Sequence, residues 1–107
     1  MVEEISATEL KSRLEAGENI QLIDVRQPEE YAFARINGAK LIPLGELMQR
    51  MEEIDNDRET VIHCKMGARS ARAVMALQQA GFPAPLKNLR GGITAWSNDV
   101  DPKVPKY

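Results

Sequence analysis

The sequence contains a single cysteine, Cys64, among its 107 residues, and this scarcity excludes several kinds of site. One thiol forms no internal disulfide, and one cysteine does not supply the ligands of an ordinary zinc site, so no metal is expected. A lone cysteine is often a small buried hydrophobic residue. The alternative is a reactive thiol, and the residues around Cys64 decide between the two.

Long apolar runs are also lacking. No segment approaches the roughly 20 apolar residues that a membrane-spanning helix needs, so no membrane partner is expected. The first four residues, Met-Val-Glu-Glu, are too acidic for a signal peptide, which favours a cytoplasmic location. The length is typical of one domain, and we assign residues 1–107 to it, with an extended tail over 100–107.

Acidic side chains are absent from one long stretch of the sequence. Residues 60–98 contain five basic side chains and no Asp or Glu, whereas residues 1–59 contain fourteen acidic and seven basic ones. Cys64 lies in this acid-free stretch, where a positive field would favour a thiolate and attract anions. Nucleic acid is not an expected partner, because the net charge is −2 and aromatic residues make up only 5% of the chain.

Segments typical of strands alternate with segments typical of helices. Apolar stretches predict strands over 20–25, 40–43, 60–64 and 86–89. Helices are expected after the N-cap Ser6, and over 28–34, 44–51, 70–80 and from Gly92 onward. The predicted core side chains of these helices include Leu44, Leu47, Met48, Met51, Met75 and Trp96. This alternation predicts an α/β fold with a parallel sheet and helices on both faces.

The segment from Val61 to Ser70 leads from a strand through a short loop into a helix. Gly67 gives the loop access to positive φ, so that successive N–H groups can point at one place. The start of the helix adds free N–H groups and the positive end of its dipole. These donors, with Arg69, would lower the pKa of Cys64 and would hold the outer sulfur of a persulfide. His63 precedes the cysteine on a strand, so we expect it to face the opposite side and to pack there.

Further motifs flank this loop in a fixed order. They are Leu22-Ile23-Asp24-Val25-Arg26 with Glu30-Tyr31, Ile36-Asn37-Gly38-Ala39 with Ile42-Pro43, Gly81-Phe82, and Leu89-Arg90-Gly91-Gly92-Ile93 with Ala95-Trp96. With the Cys64 loop they cover nearly the whole chain, which in this respect resembles a single-domain rhodanese. One departure is the pair Ala34-Arg35, where the family often has Gly-His.

The resemblance implies an α/β fold with a five-stranded parallel sheet. It also implies sulfur transfer without a cofactor, through a persulfide on Cys64, from thiosulfate or a protein persulfide to a thiophilic acceptor. The loop residues expected to bind substrate are Lys65, Met66, Gly67, Ala68, Arg69 and Ser70. Arg69 would bind the anionic donor, and Asp24, Arg26 and Arg35 would have supporting roles. For Arg26 we expect a structural ion pair, such as one with Glu30, that braces the loops.

The Cys64 loop and the ending from Asp101 to Tyr107 are similar to the C-terminal rhodanese domain of adenylyltransferase–sulfurtransferase proteins. That resemblance implies a ubiquitin-like sulfur-carrier protein and an adenylating domain as partners, with a thiocarboxylate as product. Such sulfur serves molybdopterin or thiolated cofactor biosynthesis. An excised domain and a free-standing relative both fit this sequence.

Two other functions compete with sulfur transfer. Cysteine phosphatases place five residues between cysteine and arginine, but only four separate Cys64 from Arg69. A phosphatase also needs an acid for its leaving group, and the segment 60–98 contains none. The second alternative is a non-catalytic rhodanese-like binding module. Such domains often lack the cysteine, so the presence of Cys64, Gly67 and Arg69 argues against it.

Overall fold

The five strands form one parallel sheet in a computed structural model that describes residues 2–107. The strands are β1 (Glu4–Ile5), β2 (Gln21–Asp24), β3 (Lys40–Leu41), β4 (Thr60–His63) and β5 (Leu86–Leu89). Their order in the sheet is β1-β5-β4-β2-β3, and every pair is parallel. The five-stranded parallel sheet is therefore confirmed, although the residue pattern had indicated only the last four strands.

Four α-helices connect or follow the strands. They are α1 (Ala7–Glu15), α2 (Pro28–Phe33), α3 (Ala68–Gln79) and α4 (Gly92–Asp99). The predicted N-cap is present, since the hydroxyl of Ser6 accepts a hydrogen bond from the Glu9 N–H at 3.1 Å. None of these helices is long and apolar enough to cross a membrane within the described residues.

Apolar layers lie on both faces of the sheet. Successive residues of a strand point to opposite faces, so Leu22 belongs to one buried cluster and Ile23 to the other. The first cluster joins the sheet to α1 and α4 through Leu10 and Trp96. The second joins it to α3 through residues such as Leu77. All residues of β2 and β4 are buried, as expected for the centre of a parallel sheet.

The predicted helix over 44–51 is wrong. The segment consists of two 3₁₀ turns, Leu44–Glu46 and Met48–Glu53, and Arg50 has non-helical angles of φ −117° and ψ 19°. The Arg50 guanidinium donates hydrogen bonds to both Glu46 and Glu53, at 3.0 and 2.7 Å, across this break. As a consequence Met48 faces solvent with 50% of its surface exposed.

The prediction of a core position is also wrong for Met75, which is 49% exposed. On α3 the buried face is formed by Ala73, Val74 and Leu77, so Met75 lies on the outer side of the helix. Trp96, in contrast, is buried as predicted, with 6% of its surface exposed.

The tail is extended only in its last residues. The N–H of Val104 donates to the Asp101 carbonyl at 3.1 Å, which makes a turn where extended chain was expected. Val104 is buried against the α1 and α4 cluster, and its carbonyl accepts a hydrogen bond from the Ser97 hydroxyl at 2.7 Å. Beyond this anchor, the Tyr107 hydroxyl accepts a hydrogen bond from Arg26, two residues after the end of β2.

Candidate functional site

Cys64 lies at the carboxyl edge of the sheet, directly after β4. Asp24, the last residue of β2, is in register with His63, the residue before the cysteine. Sites of open parallel sheets form at this edge, where strands turn into helices. The thiol is deeply placed, with 2% of the residue exposed.

The loop that follows Cys64 directs hydrogen-bond donors at its sulfur. The Gly67 N–H donates to Sγ at 3.1 Å, and the Ser70 hydroxyl lies 3.3 Å from the same atom. Gly67 has a φ of +123°, which turns the chain into α3 and which few other residues adopt. The loop thus directs its hydrogen-bonding groups at one place, as predicted, and residues 65–70 form a cradle around the thiol.

The electrostatics of the cradle favour a thiolate. Burial on its own raises the pKa of the Cys64 thiol. It is outweighed by hydrogen bonds from the Ser70 side chain and from the backbone N–H groups of Ser70, Gly67 and Met66. The net result is a lowered pKa, and the thiolate is the nucleophilic form of cysteine.

The start of α4 holds the other side of the loop. The N–H groups of Ile93 and Thr94 donate to the carbonyls of Cys64 and Lys65, at 3.0 and 3.2 Å. Because α4 binds these two carbonyls, the loop keeps the orientation in which N–H groups further along it, such as that of Gly67, face the sulfur. Gly92 permits the approach, because a Cβ there would overlap the Lys65 carbonyl.

Asn88 on β5 supports the loop and was not anticipated from the sequence. Its Nδ2 donates to the Gly67 carbonyl at 3.1 Å, and its Oδ1 accepts a hydrogen bond from the Ser70 hydroxyl at 2.5 Å. A buried amide in a mostly apolar strand was the available signal, since such a group needs partners.

Asp24 and Arg26 form a buried ion pair beneath the site. The Arg26 Nε donates to Oδ1 at 2.9 Å and Nη2 donates to Oδ2 at 2.7 Å, and both side chains are fully buried. The predicted ion pair of Arg26 with Glu30 is wrong. Arg26 contacts only the backbone carbonyl of Glu30, at 3.4 Å. Its guanidinium pairs with Asp24 instead, because Asp24 lies on the same face two residues away.

His63 is buried beside this ion pair. Its Nε2 lies 3.6 Å from the Asp24 carboxylate, and its Nδ1 lies 3.3 Å from the Cys64 carbonyl. Burial lowers the pKa of His63, so the ring is neutral at physiological pH. These contacts are those of a packing residue, as the strand position of His63 predicts.

Glu30 pairs instead with Arg69 at the mouth of the loop. The two Nη atoms of Arg69 donate to the two carboxylate oxygens at 2.7 and 3.0 Å. The Tyr107 hydroxyl donates to Oε2 at 2.7 Å, and the Gln27 N–H donates to Oε1 at 2.9 Å. Arg69, more than any other group, lowers the pKa of Glu30, to about 2. The contribution of Tyr107 was not anticipated, because 81 positions separate it from Arg26, its other hydrogen-bond partner.

The remaining predicted residues lie at the surface of the site or away from it. The Lys65 ammonium is 4.5 Å from the centre of the Tyr107 ring, and Met66 is 66% exposed beside it. Ala68 is exposed at the start of α3. Arg35 is exposed as well and stacks on the Tyr31 ring at 4.8 Å, which places its guanidinium on α2 and not in the loop.

Comparison with known proteins is consistent with this architecture. Residues 6–99 match the rhodanese-like domain. A sulfurtransferase of Allochromatium vinosum is 44% identical to this chain, over 97% of this chain and 96% of that protein. The probable adenylyltransferase/sulfurtransferase MoeZ of Mycobacterium tuberculosis is 38% identical over 96% of this chain, which spans only 26% of MoeZ.

A solved structure extends the comparison to the fold. The rhodanese-like domain protein of Staphylococcus aureus superposes with a TM-score of 0.84 at 31% identity, over 99% of both chains. The match of the domain over 6–99, the relatives and the common fold agree. This chain belongs to the rhodanese-like domain family.

Proposed function

We propose that this protein is a rhodanese-type sulfurtransferase that carries sulfane sulfur as a persulfide on Cys64. The observation that carries the proposal is the cradle around Sγ, in which the Gly67 N–H at 3.1 Å and the Ser70 hydroxyl at 3.3 Å favour a thiolate. The relative from Allochromatium vinosum supports the same activity, because it is named a sulfurtransferase and matches this chain over nearly its whole length.

The transfer takes place in two displacements that balance without an oxidant or reductant. The Cys64 thiolate attacks the outer sulfur of the donor and forms a new S–S bond. With thiosulfate, the S–S bond of the donor breaks and sulfite leaves with the electron pair. A thiophilic acceptor then attacks the outer sulfur of the persulfide, and the Cys64 thiolate leaves. No general base is needed, because the lowered pKa of Cys64 favours the thiolate, which is itself the nucleophile.

Residues 65–70 would bind the transferred sulfur and its donor. The N–H groups of Met66, Gly67 and Ser70, which lower the pKa of the thiol, would stabilise the anionic outer sulfur in the same way. Lys65 would contribute positive charge at the mouth, where the Arg69 guanidinium is paired with the Glu30 carboxylate. Asp24 and Arg26 would support the site from below by fixing the end of β2, and Arg35 would act only at its periphery.

Thiosulfate and a protein persulfide are both candidate donors. The relationship to MoeZ suggests an acceptor as well, a ubiquitin-like sulfur-carrier protein activated by an adenylating domain and converted to a thiocarboxylate. The exposed side chain of Met66, next to Lys65, offers a contact surface for such a carrier protein.

A non-catalytic binding module is the second candidate function. The observation in its favour is the burial of Cys64, of which only 2% is exposed, since a donor must reach the sulfur. A sulfurtransferase would need a small opening of the loop to let a donor reach the sulfur. A binding module would need no such opening.

Intact-protein mass spectrometry separates the two functions. The wild type and Cys64→Ser are incubated with thiosulfate and then with cyanide. A gain of about 32 Da on the wild type alone, removed by cyanide, is the expected result for a sulfur carrier. If the wild type gains no mass from thiosulfate, from a small persulfide or from a protein persulfide while an alkylating agent still modifies Cys64, the binding module is the correct function.

A further inference from the structure

We propose that Glu30 sets the donor preference of this site by neutralising Arg69, so that singly charged sulfur donors are favoured over the thiosulfate dianion. This inference rests on the proposed sulfurtransferase function and specifies its donor class. The favoured class comprises persulfides and thiosulfonates, in which one negative charge resides on or next to the transferred sulfur.

The Glu30 carboxylate is held firmly in front of Arg69. It accepts four hydrogen bonds, two from the Arg69 guanidinium, one from the Tyr107 hydroxyl and one from the Gln27 N–H. A carboxylate with this many donors stays ionised and keeps its position. The positive charge of Arg69 is therefore balanced by a fixed negative charge on the adjoining helix α2.

The other nearby arginine is balanced in the same way. Arg26 forms a fully buried ion pair with Asp24, which balances its positive charge. Its Nη1 donates to the Tyr107 hydroxyl at 2.9 Å. Tyr107 thus connects the two ion pairs, accepting from Arg26 and donating to Glu30. Burial, more than any other factor, raises the pKa of Tyr107, so its hydroxyl keeps the proton that it donates.

The distribution of charge decides which donor fits. One negative charge, on the outer sulfur, is accommodated by the N–H groups of the cradle. Thiosulfate brings a second charge on its sulfonate group, which must project from the cradle toward the mouth. There it meets the Arg69–Glu30 pair, which has no net charge, so that of the two loop cations only Lys65 is left to attract it. A protein with a free arginine at this position would attract the dianion.

Two small donors that differ by one charge test the inference. Thiosulfate is the dianion, and methanethiosulfonate is a monoanion of similar shape that transfers the same sulfur and releases a sulfinate. The measured quantity is the ratio of kcat/KM for thiosulfate to kcat/KM for methanethiosulfonate, with cyanide as acceptor. Glu30→Gln removes the charge and keeps the size and an accepting oxygen.

Glu59→Gln is a matched control. Glu59 also receives two hydrogen bonds from an arginine, Arg13, at 2.6 and 2.8 Å, and Arg13 likewise lowers its pKa to about 2. Glu59 precedes β4, however, and so lies at the opposite edge of the sheet from Cys64. We expect the donor ratio to rise about fivefold in Glu30→Gln, because one negative charge beside the loop is removed. Glu59→Gln should leave it unchanged.

A second measurement is independent of sulfur transfer. Iodoacetate and iodoacetamide alkylate the same thiol but differ in charge, so the ratio of their rates reports the potential at Cys64. The rate with iodoacetate divided by the rate with iodoacetamide should also rise in Glu30→Gln and should stay constant in Glu59→Gln. If Glu30→Gln does not fold, the double variant Glu30→Gln with Arg69→Gln replaces the ion pair by two amides. Its donor ratio should equal that of the wild type, because the net charge of the pair is zero in both.

Each outcome distinguishes the inference from the proposed function. If both donors react with the wild type but Glu30→Gln changes neither ratio beyond the control, the inference is wrong and the sulfurtransferase function stands. A double variant whose donor ratio falls well below that of the wild type also overturns it, since Arg69 would then bind the dianion despite Glu30. If neither of these donors nor a protein persulfide transfers sulfur to the wild type, both the proposed function and the inference fail.

Discussion

Gly92 lies so close to the Cys64 carbonyl that a Cβ at this position would come within 2.6 Å of the carbonyl oxygen. Gly92 also has a φ of +58°, in the left-handed region. The residue thus meets two requirements, a backbone conformation and an absence of side-chain volume. Both arise because α4 starts directly against the loop that contains the thiol.

Gly92→Ala is expected to displace the Cys64 loop. The added methyl group meets backbone atoms that cannot rotate away, so we expect a loss of at least about 3 kcal/mol in the free energy of unfolding. Alkylation of Cys64 at neutral pH should slow, because the displaced loop no longer directs its N–H groups at the sulfur. Urea unfolding and iodoacetamide kinetics measure the two effects.

The control for this substitution is Gly81→Ala. Gly81 has a φ of +83°, but no atom lies within 4 Å of the position that a Cβ would take, so only the conformational cost of about 1 kcal/mol remains. Equal losses of stability in the two variants would show that the close approach to Cys64 is unimportant.

Ser70→Ala is expected to raise the pKa of Cys64. The hydroxyl of Ser70 is the strongest of the hydrogen-bonding groups that lower this pKa, so its removal leaves burial less opposed. The pH profile of alkylation should shift to higher pH, and the rate near pH 6 should fall several-fold. Ser97→Ala removes another buried hydroxyl, whose partner is the Val104 carbonyl, and should leave the profile in place. A profile that does not move in Ser70→Ala would exclude this role.

Asp24→Asn is expected to destabilise the fold strongly. The substitution leaves the Arg26 guanidinium buried without its counter-charge, and breaking a buried pair in this way costs about 3–5 kcal/mol. Chemical unfolding at neutral pH measures the loss. The partly exposed pair of Arg50 and Glu53 at the surface provides the comparison, since Glu53→Gln should hardly shift the unfolding midpoint. Similar midpoints for both variants would contradict the structural importance of the buried pair.

Acid is expected to weaken the fold through Glu30 and Glu59. Their pKa values in the folded protein are lowered from 4.5 to about 2, so unfolding takes up protons between these values. Their contribution is fully present above about pH 4.5 and is lost as the pH falls toward 2. Urea midpoints measured from pH 7 to 2 should therefore fall most steeply in this interval. The double variant with Gln at both positions should show a shallower decline, and an identical decline would refute the assignment.

The sequence predicts most of the sheet because its central strands are long apolar runs. The strand β1 was missed because two residues, Glu4 and Ile5, contain no periodicity, and their partner Asn88 is distant in sequence. The break at Arg50 was missed for another reason. The pattern of Leu44, Leu47 and Met51 fits an α-helix, and only the contacts of Arg50 with both of its neighbouring glutamates show the actual path.

In the candidate site, the loop was predictable and its supports were not. Gly67 and Ser70 follow Cys64 directly, so their positions around the sulfur follow from local geometry. The supports come from distant segments, as with Asn88. The partner of Glu30 was misassigned because sequence proximity favoured Arg26, whereas the folded chain offers Arg69. Assignments of charge partners depend on tertiary structure that a single sequence does not contain.

The Cys64 loop is held by segments that follow it in the chain, since Asn88 of β5 and the first residues of α4 bind its carbonyls. Glu4 is in register with Asn88, so this edge of the sheet joins the first residues to a strand near the end of the chain. During synthesis, residues 4–5 and the Cys64 loop leave the ribosome before β5 and α4 exist to hold them. Contacts between such distant segments form late in folding. The lowered pKa of Cys64 therefore depends on contacts between distant parts of the chain, and a chain that ends before β5 would lack them.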